Sequence, residues 1–348
     1  MSFSIAYLPG DGIGPEVTDA ARQVIECVAA RRNLSFEFVE RPFGGCAIDE
    51  SGHPFPVETK QVCLKADAVL LGAVGGSKWD HASIRPEAGL LELRKELDVF
   101  ANLRPISVLP GMENQSPLKS ERAAGVNMLI IRELTGGLYF GKREEGTENA
   151  FDQCSYSRAE VVRVARIAFE AARERKGKVT SVDKANVLAT GRLWRAAVNA
   201  LHEAEFSDIE LEHVLVDAMA MKLIQSPCDF DVVLTENMFG DILSDEASVI
   251  AGSIGLAPSA SLGENSAGLY EPIHGSAPDI VGQEKANPIG AILSAAMMLR
   301  HSFGDDAAAT EIENNVKAII AAGHGTPDIG GADGTRALTQ RICEHLNS

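Results

Sequence analysis

Paired cysteines are missing from this chain. Its six, Cys27, Cys46, Cys63, Cys154, Cys228 and Cys343, lie far apart, and none falls in a CxxC spacing. That pattern argues against a disulfide framework or a cysteine zinc site and fits a reducing compartment. Positive charge is scarce as well: 32 Lys and Arg face 49 Asp and Glu, a formal charge of −17. Nucleic acid and anionic membranes recruit clustered positive charge, so neither is expected as a partner. No apolar run approaches the ~20 residues of a membrane span. Met1 leads directly into strand-like Ser4–Leu8, without the basic and apolar regions of a signal peptide. The expected location is cytoplasmic.

What is present is a globular balance, 45% hydrophobic and 23% charged, in 348 residues. That suffices for two ordinary domains or one large one. The net charge sets a condition on function. An anionic ligand must meet a local Arg, Lys or metal ion that overcomes the overall field.

Apolar runs of strand length alternate with amphipathic stretches, the α/β pattern. The expected strands are Ser4–Leu8, Ala68–Ala73, Asn127–Arg132, Val179–Val182, Leu211–Val216 and Asp231–Thr235. The expected helices are Glu16–Arg31, Arg158–Lys176, Gly191–Glu205, Gly240–Ala251, Pro288–His301, Ala308–Ala322 and Arg336–Leu346. In the second of these Val161, Val164, Ala165, Ala168 and Ala172 recur at helical spacing, with Ser157 as N-cap and Gly177 as stop. Gly252–Gly268 and Gly323–Gly334 read as loops.

The first strand runs into Gly10-Asp11-Gly12-Ile13-Gly14-Pro15-Glu16. A dinucleotide fingerprint needs glycines at offsets 0, 2 and 5; here they fall at 0, 2 and 4. The segment is either a tight strand-to-helix turn or a backbone turn near a ligand.

Four further features carry chemistry. If Gly240 opens a helix, Asp241 and Asp245 stand four residues apart on one face. Two such carboxylates either share a divalent ion such as Mg²⁺ or Mn²⁺ or complement the positive end of the helix. Asp217, at the end of the preceding strand, is a natural third ligand. Arg94, Arg104 and Arg132 lie at strand ends or turns, as a carboxylate clamp or as surface ion pairs. Tyr139, one of only four tyrosines, is either a proton donor or a core residue with an exposed hydroxyl. Lys184, at the end of an apolar strand, is either a base with a lowered pKa or a solvated loop residue.

Together these segments resemble the isocitrate/isopropylmalate dehydrogenase family of β-decarboxylating dehydrogenases. The resemblance runs nearly end to end, through Gly10–Glu16, Gly72–Trp79, Leu90–Arg94, Ala101–Pro105, Arg132–Gly141, Ser181–Val187, Val216–Ala220, Glu236–Asp245, Glu271–Asp279 and Asn287–Leu299, and Asn237–Gly255 matches the family signature. It implies a discontinuous two-domain α/β fold rather than a Rossmann fold. Residues 1–99 with 252–348 would bind the cofactor, and residues 100–251 would carry the substrate, metal and dimer contacts. It implies Asp217, Asp241 and Asp245 as Mg²⁺ or Mn²⁺ ligands, with Asp217 also touching substrate. Arg94, Arg104 and Arg132 become the substrate clamp, and Tyr139 and Lys184 the catalytic pair. Gly75, Gly76, Glu87, His274, Gly275, Ser276, Ala277, Asp279 and Asn287 become the NAD site. A homodimer follows, since family members take the counterparts of Lys184 and Asp217 from the partner subunit.

Two positions narrow the expectation. Leu90 and Leu91 precede Arg94 where isocitrate-type members carry Ser and Asn, which suits an isopropyl group. Glu87 opposes a third carboxylate, although Arg85 leaves homoisocitrate open beside tartrate and D-malate. Asp279 suits a ribose diol and repels a 2′-phosphate, so NAD is favoured. The implied reaction is NAD-dependent oxidative decarboxylation of (2R,3S)-3-isopropylmalate to 4-methyl-2-oxopentanoate, a step of leucine biosynthesis.

Overall fold

Buried apolar stretches form the strands and amphipathic stretches the helices in a computed structural model that describes residues 2–32, 34–81, 84–264 and 267–348. In chain order the strands are β1 (Ser2–Gly10), β2 (Ser35–Glu40), β3 (Ala68–Ala73), β4 (Ala101–Ser107), β5 (Asn127–Glu133), the two-residue β6 (Arg143–Glu144) and β7 (Phe151–Asp152), then β8 (Lys178–Asp183), β9 (Glu210–Leu215), β10 (Val232–Thr235), β11 (Pro258–Leu262) and β12 (Gly268–Pro272). The helices are α1 (Gly14–Arg32), α2 (Gly45–Ser51), α3 (Val57–Cys63), α4 (Pro86–Glu96), α5 (Ser120–Ala123), α6 (Arg158–Arg173), α7 (Ala189–Glu205), α8 (Val216–Gln225), α9 (Asn237–Ile250), α10 (Ile289–His301), α11 (Asp306–Ala321) and α12 (Thr335–Leu346).

The chain divides into two compact units. The first runs to Val99, takes in Leu109–Gln115 and resumes at Gly252; the second is Phe100–Val108 with Ser116–Ala251. In the first unit the strand order is β2-β1-β3-β12-β11, parallel except that β11 runs against β12. All six residues of β3 are buried, the continuous apolar run of a strand covered on both faces. Helix α10 is buried from Ile289 to Ile292 and from Ser294 to Leu299, as befits a helix enclosed by β12, α1 and α11.

In the second unit the order is β4-β5-β10-β8-β9, with β4 antiparallel to β5 and the rest parallel. Helix α6 lies on β5, β8 and β10. Its Val161, Val164, Ala165, Ala168 and Ala172 are all fully buried, as their spacing predicts. Ser157 accepts from the Glu160 N–H while Glu160 reaches back to the Ser157 N–H, a complete capping box. The Gly177 N–H closes the helix end on the Ala172 carbonyl.

Three local expectations need correction. The loop expected at Gly252–Gly268 contains β11. Its Ser259, Ala260 and Ser261 are buried but small and mostly polar, so no apolar signal marks them; the Ser259 hydroxyl donates to the Glu271 carbonyl. The helix expected from Gly240 starts at Asn237, because Glu236 caps the Phe239 N–H with its side chain at 2.8 Å. Glutamate is outside the short polar residues usually found at that position. The strand expected to reach Val216 stops at Leu215, which places Asp217 in the first turn of α8 rather than at a strand end.

Candidate functional site

With α9 starting at Asn237, three polar residues at Asn237, Asp241 and Asp245 share one helical face. Two buried arginines reach that face. Arg132, near the C-terminal end of β5, donates Nε and Nη2 to Asn237 Oδ1 at 2.9 and 2.8 Å and pairs through Nη1 with Asp241 Oδ1. Arg104, from the neighbouring β4, donates Nε to Asn102 at 2.7 Å and Nη1 to Ser244 at 2.6 Å. Its Nη1 also lies 3.4 Å from Asp245 Oδ1, and its Nη2 3.7 Å from Asp241 Oδ1. Helix α9 comes this close to β5 because residue 240 is glycine. A Cβ there would stand 2.2 Å from Thr235 Oγ1 and 2.7 Å from Arg132 Cγ.

Tyr139 completes the cluster. It sits on the short 3₁₀ turn Gly137–Tyr139 and donates its hydroxyl to Asp241 Oδ2 at 2.9 Å. Burial, and then the charge of Asp241, push its phenol up to about 12, so it holds its proton at neutral pH. Burial likewise pushes the Asp245 carboxyl up, against the pull of Arg104 and Arg132. Complementing the helix end no longer accounts for these acids. Asp241 and Asp245 lie beyond the first turn of α9, which carries no acidic residue and holds the unpaired N–H groups.

Lys184 follows β8 directly and pairs with Asp217 of α8. The Lys184 ammonium holds the Asp217 carboxyl below the usual range. The turn is anchored by Asp183, whose buried carboxylate accepts from the Ala185 N–H and takes both Nε and Nη2 of Arg195. An apolar cavity of about 250 Å³ adjoins Lys184, walled by Leu138, Trp194, Met238 and Phe239. A dicarboxylate would lose hydration there without recompense.

Asp241 and Asp245 offer hard oxygen donors of the kind Mg²⁺ and Mn²⁺ take. Among the described residues no three His, Cys, Asp or Glu side chains gather into a metal-holding group. Asp217, expected as the third ligand, is therefore not brought to Asp241 and Asp245 by this chain alone.

The first unit gathers the other expected residues. Arg94 of α4 is buried and donates to Glu271 of β12 at 3.0 Å. Leu90 is half-buried and Glu87 exposed on the same helix; a Cβ on Gly75 would stand 2.5 Å from Glu87 Oε1. Gly75 and Gly76 have φ of 100° and 152°, backbone suited to glycine. In the segment after β12, His274 and Ser276 are buried, Gly275 and Asp279 exposed, and Ala277 has φ of 38°. Asn287 accepts from the Ile289 N–H and donates to Asp328 at 3.0 Å. Burial pushes the His274 imidazole down, keeping it neutral, and its Nε2 is buried with no partner among the described residues. A bound ligand commonly satisfies such a group, so this segment fits a cofactor.

Four residues of these sites escape sequence reasoning: Asn237, Asn102 and Ser244, which hold the arginines, and Asp11, treated below. Asn237 stands four residues before Asp241, so a helix begun three residues earlier would have revealed it. The strand pairing Asn102↔Arg132 has no local signal.

Comparison with known proteins gives a consistent result. The isocitrate/isopropylmalate dehydrogenase family pattern matches residues 4–346. A protein named 3-isopropylmalate dehydrogenase from Bacillus licheniformis is 56% identical over 337 residues, covering 94% of this chain and 91% of that protein. One of the same name from Bacillus subtilis is 53% identical, covering 98% and 96%. Among solved structures, isocitrate dehydrogenase from Methylococcus capsulatus superposes with a TM-score of 0.88 at 32% identity, covering 99% of this chain and 100% of that one. A β-decarboxylating dehydrogenase from Thermococcus kodakarensis gives 0.81 at 38% identity, covering 99% and 96%.

Proposed function

Because this chain belongs to the isocitrate/isopropylmalate dehydrogenase family, we propose that it oxidises (2R,3S)-3-isopropylmalate with NAD and releases CO₂ to give 4-methyl-2-oxopentanoate, a step of leucine biosynthesis. It is a decarboxylating dehydrogenase, and the substrate is the proposed part. The observation that carries the reading is the convergence of Arg104, Arg132 and Tyr139 on Asp241. In a protein of charge −17, two buried guanidinium groups beside a protonated phenol supply what an oxidised hydroxy diacid needs.

Asp241 and Asp245 would hold Mg²⁺ or Mn²⁺, with Asp217 contributed by a second copy of the chain. That ion supplies Lewis acidity at the substrate hydroxyl, and NAD supplies the hydride acceptor. The chain's own residues do the rest. Arg94, Arg104 and Arg132 orient the carboxylates. Lys184 Nζ, from the same second copy as Asp217 and in its unprotonated amine form, takes the hydroxyl proton. The Tyr139 hydroxyl returns a proton to carbon after CO₂ departs. Leu90 offers apolar surface to the isopropyl group, worth roughly 2 kcal/mol if fully buried.

Exposed apolar side chains on α8 and α9, Met221, Ile224, Ile242 and Val249, support a homodimer. Gly75, Gly76, Glu87, His274, Gly275, Ser276, Ala277, Asp279 and Asn287 serve NAD in this reading. A panel of 3-isopropylmalate, isocitrate, homoisocitrate, tartrate and D-malate, each with NAD or NADP and with Mg²⁺ or Mn²⁺, tests it. The largest kcat/KM is expected for 3-isopropylmalate with NAD. A higher value for any other acid overturns the substrate, and a higher value with NADP the cofactor.

A further inference from the structure

The glycine-rich segment after β1 does not follow the spacing of a phosphate-binding turn, yet it is built with unusual care. Asp11 is 2% exposed. Its Oδ2 accepts from the N–H of Gly75 at 2.8 Å and of Gly45 at 2.7 Å, and its Oδ1 from the N–H of Cys46 at 2.8 Å. Its own N–H donates to the Ala73 carbonyl at 2.8 Å. Burying a carboxylate on neutral donors is costly, and burial does push this carboxyl up against the pull of those three bonds. Only an ionised carboxylate presents acceptors alone in every direction. A neutral residue of the same shape could not receive three converging N–H groups.

The same turn reaches a second segment. The Ile13 N–H donates to the Ser276 carbonyl at 2.9 Å, and a Cβ on Gly12, where φ is 59°, would stand 2.0 Å from that oxygen. Glu16 Oε1 accepts from the Gly282 N–H at 2.7 Å. One short stretch thus ties down both segments of the first unit assigned to the cofactor, and both contain left-handed backbone, strained at Ala277 but not at the glycines. Gly75, Gly76, Ala277 and Gly282 all have positive φ.

We propose that the Gly10–Glu16 turn is a positioning device for the dinucleotide, with Asp11 fixing the Gly75–Gly76 loop and Glu16 fixing the segment through Gly282. Neither residue touches the cofactor; each acts through backbone it holds. This rests on the NAD reading above.

The test uses full-length Asp11→Asn, Glu16→Ala and Glu16→Gln. Asp11→Asn turns an amide N–H toward at least one backbone N–H. A hydrogen bond to a charged group is worth enough to change an equilibrium about tenfold. KM for NAD and the dissociation constant of NADH should rise about tenfold, with KM for the hydroxy acid changing less than about twofold. Glu16→Ala should raise KM for NAD less. Glu16→Gln should recover most of that loss, because its amide oxygen still accepts from the Gly282 N–H. Amide exchange of ligand-free Asp11→Asn should be faster at Gly45, Cys46 and Gly75. That readout requires no cofactor and separates the structural tie from the functional reading. An unchanged KM for NAD, or both KM values rising together with a fall in Tm, overturns the positioning role. If the wild-type protein binds no NADH, the NAD reading fails and the cofactor role of the turn fails with it, while exchange at Gly75 still decides whether Asp11 holds the loop.

Discussion

The two units hold their key carboxylates by opposite means. In the first, Asp11 is gripped by three backbone N–H groups. In the second, Asp241 and Asp245 are gripped by the guanidinium groups of Arg104 and Arg132 and by the Tyr139 hydroxyl. Backbone donors are fixed by the fold and cannot trade partners. Arginine side chains can, and they bring full charge. In the proposed reaction an arriving dicarboxylate would take the guanidinium groups and leave Asp241 and Asp245 to a cation. The first arrangement holds a shape; the second is poised for an exchange of partners. Lys184 and Asp217 extend the contrast. Their pair is solvent-accessible, with side chains 26% and 60% exposed, and such pairs add little stability. In the reaction proposed above its use lies elsewhere, in a site that a second copy of the chain would complete.

The largest expected effect tests that incompleteness. Lys184→Met should lower turnover by about 10²–10⁴-fold, and Asp241→Asn, by removing an ion ligand, should inactivate the protein as well. Mixed and reassociated one to one, the two inactive proteins should regain about a quarter of wild-type activity. Half the dimers are then hybrids, and each hybrid has one of two sites free of both lesions. No recovery after confirmed subunit exchange would place Lys184 and Asp241 in the same site of one chain and end the claim that one copy leaves that site incomplete. Next in size is Tyr139→Phe. It should slow decarboxylation of the 2-oxo diacid by about 10²–10⁴-fold while leaving divalent-ion binding intact. Normal turnover of the oxo acid would remove Tyr139 from the proton transfer.

These residues were legible in the sequence to different depths, for physical reasons. Helix α6 announced itself because one face is wholly buried and its cap is a serine three residues before a glutamate. Strand β3 did so because every residue is apolar or small and buried. Strand β11 stayed hidden because its core positions include serines, one of which, Ser259, donates to the distant Glu271 carbonyl. Asp241 and Asp245 could be seen as a pair from spacing alone, but not why they are tolerated. That depends on Arg104 and Arg132, which arrive from strands adjacent only through the antiparallel pairing of β4 and β5. Asp11 stood in plain view inside a glycine motif. Its partners at Gly45, Cys46 and Gly75 lie 34, 35 and 64 residues away, a separation no local pattern reports.

A smaller effect sharpens the comparison without any turnover. A divalent ion that binds only the folded state stabilises it by about 2.7 kcal/mol at a hundredfold excess over its Kd. Adding Mn²⁺ should therefore raise Tm for the wild-type protein and for Asp11→Asn, but not for Asp241→Asn. If Asp11→Asn also lost the response, the backbone-held carboxylate would belong to the ion site, and the division between a shape-holding and an exchanging carboxylate would fail.

The smallest effect concerns acid. His274 in the first unit and His213 in the second are both held below the ordinary value of 6.5, chiefly by burial. Arg195 pushes His213 further down, Asp183 opposes it, and its Nε2 faces Asn199 at 2.6 Å. The sign follows from proton binding. Above 6.5 both rings are neutral folded and unfolded, so they give no pH dependence. As pH falls through 6.5 the unfolded chain takes up protons that the fold refuses, so stability declines until the lowered folded values are reached. Buried carboxyls with raised values, Glu133 and Asp11, act oppositely: the fold binds their protons first, so they add stability as pH falls through those values. Denaturant unfolding between about pH 7.5 and about pH 5.5 should therefore show a net loss that is shallower in His213→Asn and in His274→Asn. The steeper remaining slope should belong to the variant that keeps the more deeply buried ring, His274. A slope untouched by either substitution would mean that carboxylates alone set the acid response and that the two units differ in nothing but how those carboxylates are held.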